Sequence, residues 1–219
     1  MLAATERPDN AVVLFDGTSL DGWKHPDDRP VEWKLLDDGS MEIVPKTGSI
    51  ISKYEFHDCF LHLEFKCSDM PDMTGQKKSN SGVFLQNRYE IQVLDSYGWK
   101  IPGTGDCGAL YNHHAPLTNA CKPAIEWQTY DIFFRAPRFS VGRKKIENAR
   151  MTVIFNGQII HNNIEQHQPT AGNPPPPDNW SLKPGPLQLQ DHGDVLWYRN
   201  IWLVDLPAAG STDYPPRND

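Results

Sequence analysis

The sequence predicts an all-β chain folded as a sandwich or jelly roll. Three observations carry that expectation. Short runs of apolar, β-branched and aromatic residues follow one another along the chain, several with period-two alternation. Turn-forming pairs separate them, among them Asp16-Gly17, Asp38-Gly39 and Asn156-Gly157. No segment carries an apolar stripe of helical period over a useful length. Many short strands at this spacing are the pattern of sandwiches and jelly rolls.

Taken in order, strands are expected at Val12–Phe15, Trp33–Leu36, Ser40–Val44, Ser49–Ser52, Phe60–Cys67 and Gly82–Gln86. They continue at Tyr89–Leu94, Ala109–Tyr111, Gln128–Arg135, Arg150–Phe155, Gln158–Ile164, Leu187–Asp191 and Val195–Val204. Asn156-Gly157 between two apolar runs is a strong two-residue hairpin signal. The interruptions are Asp69–Lys78, Ser96–Asp106, Asn112–Glu126 and Gln166–Pro186, the last with a stiff proline run at Asn173–Pro177. No internal repeat or domain boundary is visible, so residues 1–219 read as one sandwich domain with a core over about 11–206 and short tails.

Composition narrows the function. Aromatic residues make up 11% of the chain, including seven Trp, and the net charge is -7. An acidic chain lacks the electrostatic footprint of a nucleic-acid binder. No run of 18 apolar residues is present, so no spanning helix is expected. The start, MLAATERPDN, has no hydrophobic signal core. Localisation is open between cytoplasmic and, where a leader precedes residue 1, periplasmic or extracellular.

Cys59 and Cys67 bracket one strand and share its apolar face with Leu61, Leu63 and Phe65. Eight residues of strand hold them about 26 Å apart at roughly 3.3 Å per residue, too far to pair. Cys107 and Cys121 lie in loop-like sequence, where pairing is open. No CxxC spacing argues for structural zinc. Free, mostly buried thiols are the expected state.

The most informative stretch is SNSGVFLQNRYEIQVLD, Ser79 to Asp95. It reads as two strands joined by a tight turn near Gln86-Asn87-Arg88. Its second strand sets Glu90 and Gln92 on one face, expected wet, and Ile91 and Val93 on the other, expected buried. Further on, Gln190-Asp191-His192-Gly193-Asp194 reads as a hairpin turn, and turns at a sandwich rim are where sites are placed. In Trp197–Trp202, parity puts Trp197, Arg199 and Ile201 on one face and Tyr198, Asn200 and Trp202 on the other, with Arg199 on the wet side and able to clamp Glu90 or a substrate oxygen. Trp99 and Trp180 sit among polar loop neighbours, which leaves their rings better placed than Trp23 or Trp127 to stack on a ligand.

These blocks together resemble the 3-keto-disaccharide hydrolase domain family, within the concanavalin A-like lectin/glucanase superfamily. The resemblance begins with LFDGTSLDGW from Leu14. It continues in order through DGSM at Asp38, NSGVFLQNRYEIQVLD at Asn80, GALY at Gly108, KPAIEWQTYDI at Lys122, FNG at Phe155 and GPLQLQDHGDVLWYRNIWL at Gly185. It implies a two-sheet antiparallel β-sandwich with a concave carbohydrate-binding face. Related glucanases carry E-x-D-x-x-E on a strand. Here Glu90-Ile91-Gln92-Val93-Leu94-Asp95 keeps the spacing but replaces the central acid by an amide and the last Glu by Asp. A double-displacement glycosidase needs two carboxyl groups about 5–5.5 Å apart, so that departure weighs against ordinary glucanase chemistry.

The resemblance implies instead a 3-keto-glucoside or 3-keto-disaccharide substrate. A ketone at C3 acidifies the C2 proton, and its removal lets the C1 substituent leave. Glu90, Asp95 and His192 are the titratable candidates for this chemistry. Asn80, Gln92, Gln190, Arg199, Trp99 and Trp180 are the candidates for substrate binding. The sequence fixes no cofactor, and a divalent metal is left open. A divalent metal, if bound, would fall to Glu90, Asp95 and Gln92 with His192, an oxygen-rich set suited to a hard or borderline ion. The competing expectation is a non-catalytic carbohydrate-binding module on the same fold. Convergence of Glu90 with a second titratable group in one pocket discriminates the two.

Overall fold

The structure, a computed structural model, describes residues 5–170 and 183–208. The proline run at 173–177 and Trp180 lie outside the described residues. Among the described residues there are fifteen strands and one turn of 3-10 helix. They are β1 (Val12–Phe15), β2 (Trp23–Lys24), β3 (Lys34–Leu35), β4 (Met41–Glu42), β5 (Ile50–Phe56), β6 (Cys59–Cys67), β7 (Ser81–Leu85) and β8 (Tyr89–Val93). There follow β9 (Gln128–Arg135), β10 (Arg138–Phe139), β11 (Lys145–Glu147), β12 (Ala149–Phe155), β13 (Gln158–Gln166), β14 (Gly185–Leu189) and β15 (Leu196–Asp205). The helical turn spans Gly75–Lys77.

One sheet runs β13-β12-β9-β6-β15-β4-β3, with β1 also paired to β15, and the other runs β2-β5-β14-β7-β8. β10 and β11 form a separate ribbon. Neighbouring strands pair antiparallel throughout these sheets. This is the two-sheet antiparallel sandwich expected from the sequence.

Alternation builds the core. Leu61, Leu63 and Phe65 on β6, Tyr130, Ile132 and Phe134 on β9 and Met151, Val153 and Phe155 on β12 face inward from the first sheet. Val83, Leu85, Tyr89, Ile91, Val93, Leu187 and Leu189 meet them from the second. Contacts across the gap fix the two layers: Tyr89 packs against Phe134 with ring centroids 5.6 Å apart. The polar tips in this core are matched. Ser81 Oγ and Tyr198 Oη hydrogen-bond at 2.7 Å, and Tyr130 Oη donates to the Gln92 carbonyl at 2.7 Å. A buried hydroxyl without a partner would cost about 1–3 kcal/mol.

Three features differ from expectation. The Ala109–Tyr111 run is no strand; it closes the open edge of β8. Gln92 N donates to Ala109 O at 2.9 Å, Gly108 N to Gln92 O at 2.9 Å and Tyr111 N to Glu90 O at 3.2 Å. An exposed edge would template association, and here a loop covers it. β15 carries a bulge between Arg199 and Trp202, with Asn200 at φ 47°. The extra residue flips the parity: Ile201 turns inward into the core, and Trp202 turns outward to stack on His62 at 4.9 Å. Finally, β2, β10 and β11 had no sequence signal, being two or three residues long. All four cysteines are free and buried.

Candidate active site

The β7–β8 hairpin positions the centre of the site. Gln86 and Asn87 adopt φ of 53° and 56°, which turns the chain so that Phe84 pairs with Glu90 and Gly82 with Gln92. Tyr89, Ile91 and Val93 then enter the core, and Glu90 and Gln92 point out of the sandwich. That outer face was expected to be wet, yet Glu90 is only 4% exposed and Gln92 1%. The surrounding loops bury it.

Those loops and the hairpin enclose a cavity of about 180 Å3 lined by Gln76, Asn80, Glu90, Gln92, Tyr111, Gln190 and His192. The β14–β15 turn is tied in place from several sides. Gln190 N donates to Gly82 O at 3.0 Å, Ser81 Oγ donates to Gln190 O at 2.6 Å, and Asn80 N donates to Asp194 Oδ2 at 2.8 Å. His192 is thereby brought to the rim, exposed to solvent.

Burial dominates the electrostatics of Glu90. Its carboxyl is pushed up to about 8 by desolvation. Its backbone N–H is anchored on Thr170 Oγ1 at 3.2 Å. Gly82, diagonal to Glu90 on β7, leaves the room this carboxyl occupies: a Cβ there would collide with Glu90 Oε1 and lie 2.8 Å from Phe84 Cε2. Among the described residues, Asn80 Oδ1, Gln92 Oε1 and Gln190 Oε1 are buried without a hydrogen-bond partner. All three residues line this cavity.

Five of the expected site residues, Asn80, Glu90, Gln92, Gln190 and His192, therefore share one cavity. Asp95 does not join them. It is buried and ion-paired with Lys78 Nζ at 2.9 Å, and it accepts the Tyr97 N–H at 3.2 Å. Arg199 does not reach Glu90 either. It projects from the other sheet, donates to Glu64 Oε2 at 2.7 Å and stacks 4.0 Å from the Trp127 ring. Trp99 is 55% exposed on the Ser96–Asp106 loop and does not line the cavity. The ligand set Glu90, Asp95 and His192 does not assemble, since Asp95 is committed to Lys78. Among the described residues no three His, Cys, Asp or Glu side chains come together in a metal-binding group.

Two lining residues carried no individual signal. Gln76 belongs to the short helical turn inside the Asp69–Lys78 interruption. Tyr111 closes the GALY block, where the sequence marked a strand and not a pocket wall.

Comparison with known proteins agrees with this architecture. Residues 10–204 match the 3-keto-alpha-glucoside-1,2-lyase-like domain family. The chain belongs to that family. It is 24% identical to a 3-keto-disaccharide hydrolase of Bacteroides thetaiotaomicron, over 88% of this chain and 77% of the relative. A solved structure from Parabacteroides distasonis, which carries a glycosyl hydrolase name, superposes with a TM-score of 0.82 at 33% identity. That match covers 91% of this chain and 85% of the other. An alginate lyase superposes with a TM-score of 0.50 at 7% identity over 92% of this chain and 99% of the other, a likeness of fold alone. Among the described residues the one carboxylate lining the cavity is Glu90, on strand β8.

Proposed function

We propose that the protein cleaves 3-keto-glucosides by base-assisted elimination across C1 and C2, with water addition to the product giving net hydrolysis. Family membership supports an enzyme that cleaves glycosides, and the Bacteroides thetaiotaomicron relative is named for a 3-keto-disaccharide. The observation that carries the reading is one buried carboxyl, Glu90, sharing a cavity with one exposed imidazole, His192. Two carboxylates would be needed for a double-displacement glycosidase, and Asp95 is held elsewhere by Lys78.

In this reading ionised Glu90 removes the C2 proton, whose acidity the C3 ketone supplies. The electron pair left at C2 forms the C1–C2 double bond as the C1–O bond breaks. His192 gives a proton to the departing oxygen. Asn80, Gln92 and Gln190 hold the ring, and burial keeps water from competing for the carboxylate. A base whose acidity lies near neutral pH suits proton abstraction, because ionised form and basicity are both available there.

Turnover of paired chromogenic glucosides, one with a C3 ketone and one without, tests the reaction. Cleavage of the keto substrate alone is expected. Cleavage of the plain glucoside would return the glucanase reading and overturn this one. Glu90→Gln should lower kcat by about 100-fold or more while circular dichroism stays unchanged. Retained activity would make Glu90 structural.

A further inference from the structure

We infer that Asn80 and Gln92 form an acceptor-only wall that recognises the substrate through hydroxyl groups acting as donors, and that Gln76 fixes this polarity. The inference rests on the cavity being the sugar site.

Backbone carbonyls decide which way the amides face, since a carbonyl can only accept. Asn80 Nδ2 donates to the Gln76 carbonyl at 2.8 Å and to Gln76 Oε1 at 3.2 Å. Gln92 Nε2 donates to the Gly105 carbonyl at 3.3 Å and to Gln76 Oε1 at 3.0 Å. Gln76 Nε2 donates to that same Gly105 carbonyl at 2.7 Å. Turning any one of the three amides over would set oxygen against oxygen or nitrogen against nitrogen. The network therefore has one self-consistent orientation, and it spends both N–H groups of Asn80 and of Gln92. Their oxygens, Oδ1 and Oε1, are left buried and unpartnered on residues that are each 1% exposed. Gln190 Oε1 is unpartnered as well, but no hydrogen bond fixes its amide.

A buried acceptor without a donor is costly, and a ligand that supplies the donor relieves it. Amides usually offer a sugar hydroxyl one donor and one acceptor. Here Asn80 and Gln92 offer only acceptors, so the sugar oxygens facing them must bring the proton. Fluorine accepts but cannot donate, which makes it the discriminating probe.

The experiment compares kcat/KM for the parent 3-keto-glucoside with analogues carrying H or F in place of the hydroxyl at C4 or at C6. At one of these positions at least, the fluoro analogue is expected to lose about tenfold or more, as much as the deoxy analogue. A fluoro analogue that keeps the parent's rate where the deoxy analogue loses it would overturn the inference, because the wall would then be donating. So would full activity of all the analogues. Gln92→Met and Asn80→Leu remove the whole amide, the oxygen together with the N–H groups that bond Gln76 and Gly105, and keep the approximate shape. Each should lower kcat/KM for the parent by a larger factor than for the fluoro analogue. A fall by the same factor for both substrates would show a structural role only and would overturn the assignment. Failure of the parent keto-glucoside to turn over at all would overturn the proposed function, and the inference with it. That outcome is separable from the others, which all require an active enzyme.

Discussion

Glu90 ties stability to pH in a direction opposite to most surface carboxylates. Its carboxyl is raised from 4.5 to about 8 by burial. Below about pH 4 the group is protonated in both folded and unfolded chains and contributes no difference. Between about 4.5 and 8 the unfolded chain ionises and the folded chain keeps its proton, so stability falls as pH rises. Above about 8 the penalty is complete, on the order of a few kcal/mol. Glu90→Gln removes it. The variant should melt above the wild type at pH 9, by about 2–4 °C for each kcal/mol of that penalty, and together with it near pH 4, read by thermal denaturation. A variant that melts below the wild type at pH 9 would show that the ionised carboxylate is well solvated or paired in the fold. The same group sets the acid limb of the activity profile: kcat/KM should rise with pH as Glu90 ionises, and the need for a proton donor to the leaving oxygen should bend the profile down again on the alkaline side, a bell and not a plateau. Glu90 and Gln92 were legible because strand alternation assigns faces without any tertiary knowledge. Their burial was not legible, since it comes from Gln76, Tyr111 and Gln190, which reach the cavity from three separate segments.

At the scale of elements, the β7–β8 hairpin does most to make the site, and Gly82 is its narrowest point. Gly82 sits in the strand with ordinary backbone angles, so Ala is tolerated by the backbone; the obstacle is the Glu90 carboxyl and the Phe84 ring. Gly82→Ala should displace Glu90 and lower kcat/KM by about 100-fold. Stability should fall by about 1–3 kcal/mol, the usual cost of overpacking. Steady-state kinetics beside thermal melting checks both, and an active variant would place the working carboxyl elsewhere. Hairpins of this kind were readable in advance because their turns demand left-handed backbone. Asn156-Gly157, at φ 48° and 75°, joins β12 to β13 as its dipeptide predicts. The β15 bulge was not readable. One extra residue near Asn200 leaves no mark in composition, yet it sends Ile201 inward and Trp202 outward. Arg199, taken from parity as a clamp for Glu90, instead faces Glu64 because β15 belongs to the other sheet. Sheet membership is a long-range fact that no local pattern carries.

For the whole molecule, the four cysteines report how the sandwich opens. Cys59 and Cys67 end the inward face of β6, Cys107 lies behind the loop that closes β8, and Cys121 lies in the loop before β9. Burial pushes the thiols of Cys59, Cys67 and Cys107 well above their ordinary range, whereas the Cys107 side chain holds Cys121 below it. Reaction with a thiol reagent needs both access and thiolate. In the native protein no thiol should react quickly, and Cys121 should be the first to do so. Cys59 and Cys67 are held by β6, which pairs with β9 on one side and β15 on the other. Exposing them requires separation of the sheets. Their labelling should therefore follow the same denaturant midpoint as tryptophan fluorescence, while Cys121 labels at lower denaturant through local opening of its loop. Mass spectrometry of the labelled peptides across a urea series distinguishes the sites. Early labelling of Cys59 would mean that the β6 end frays independently of the core. Simultaneous labelling of all four would mean that the loop carrying Cys121 opens only with the sandwich itself.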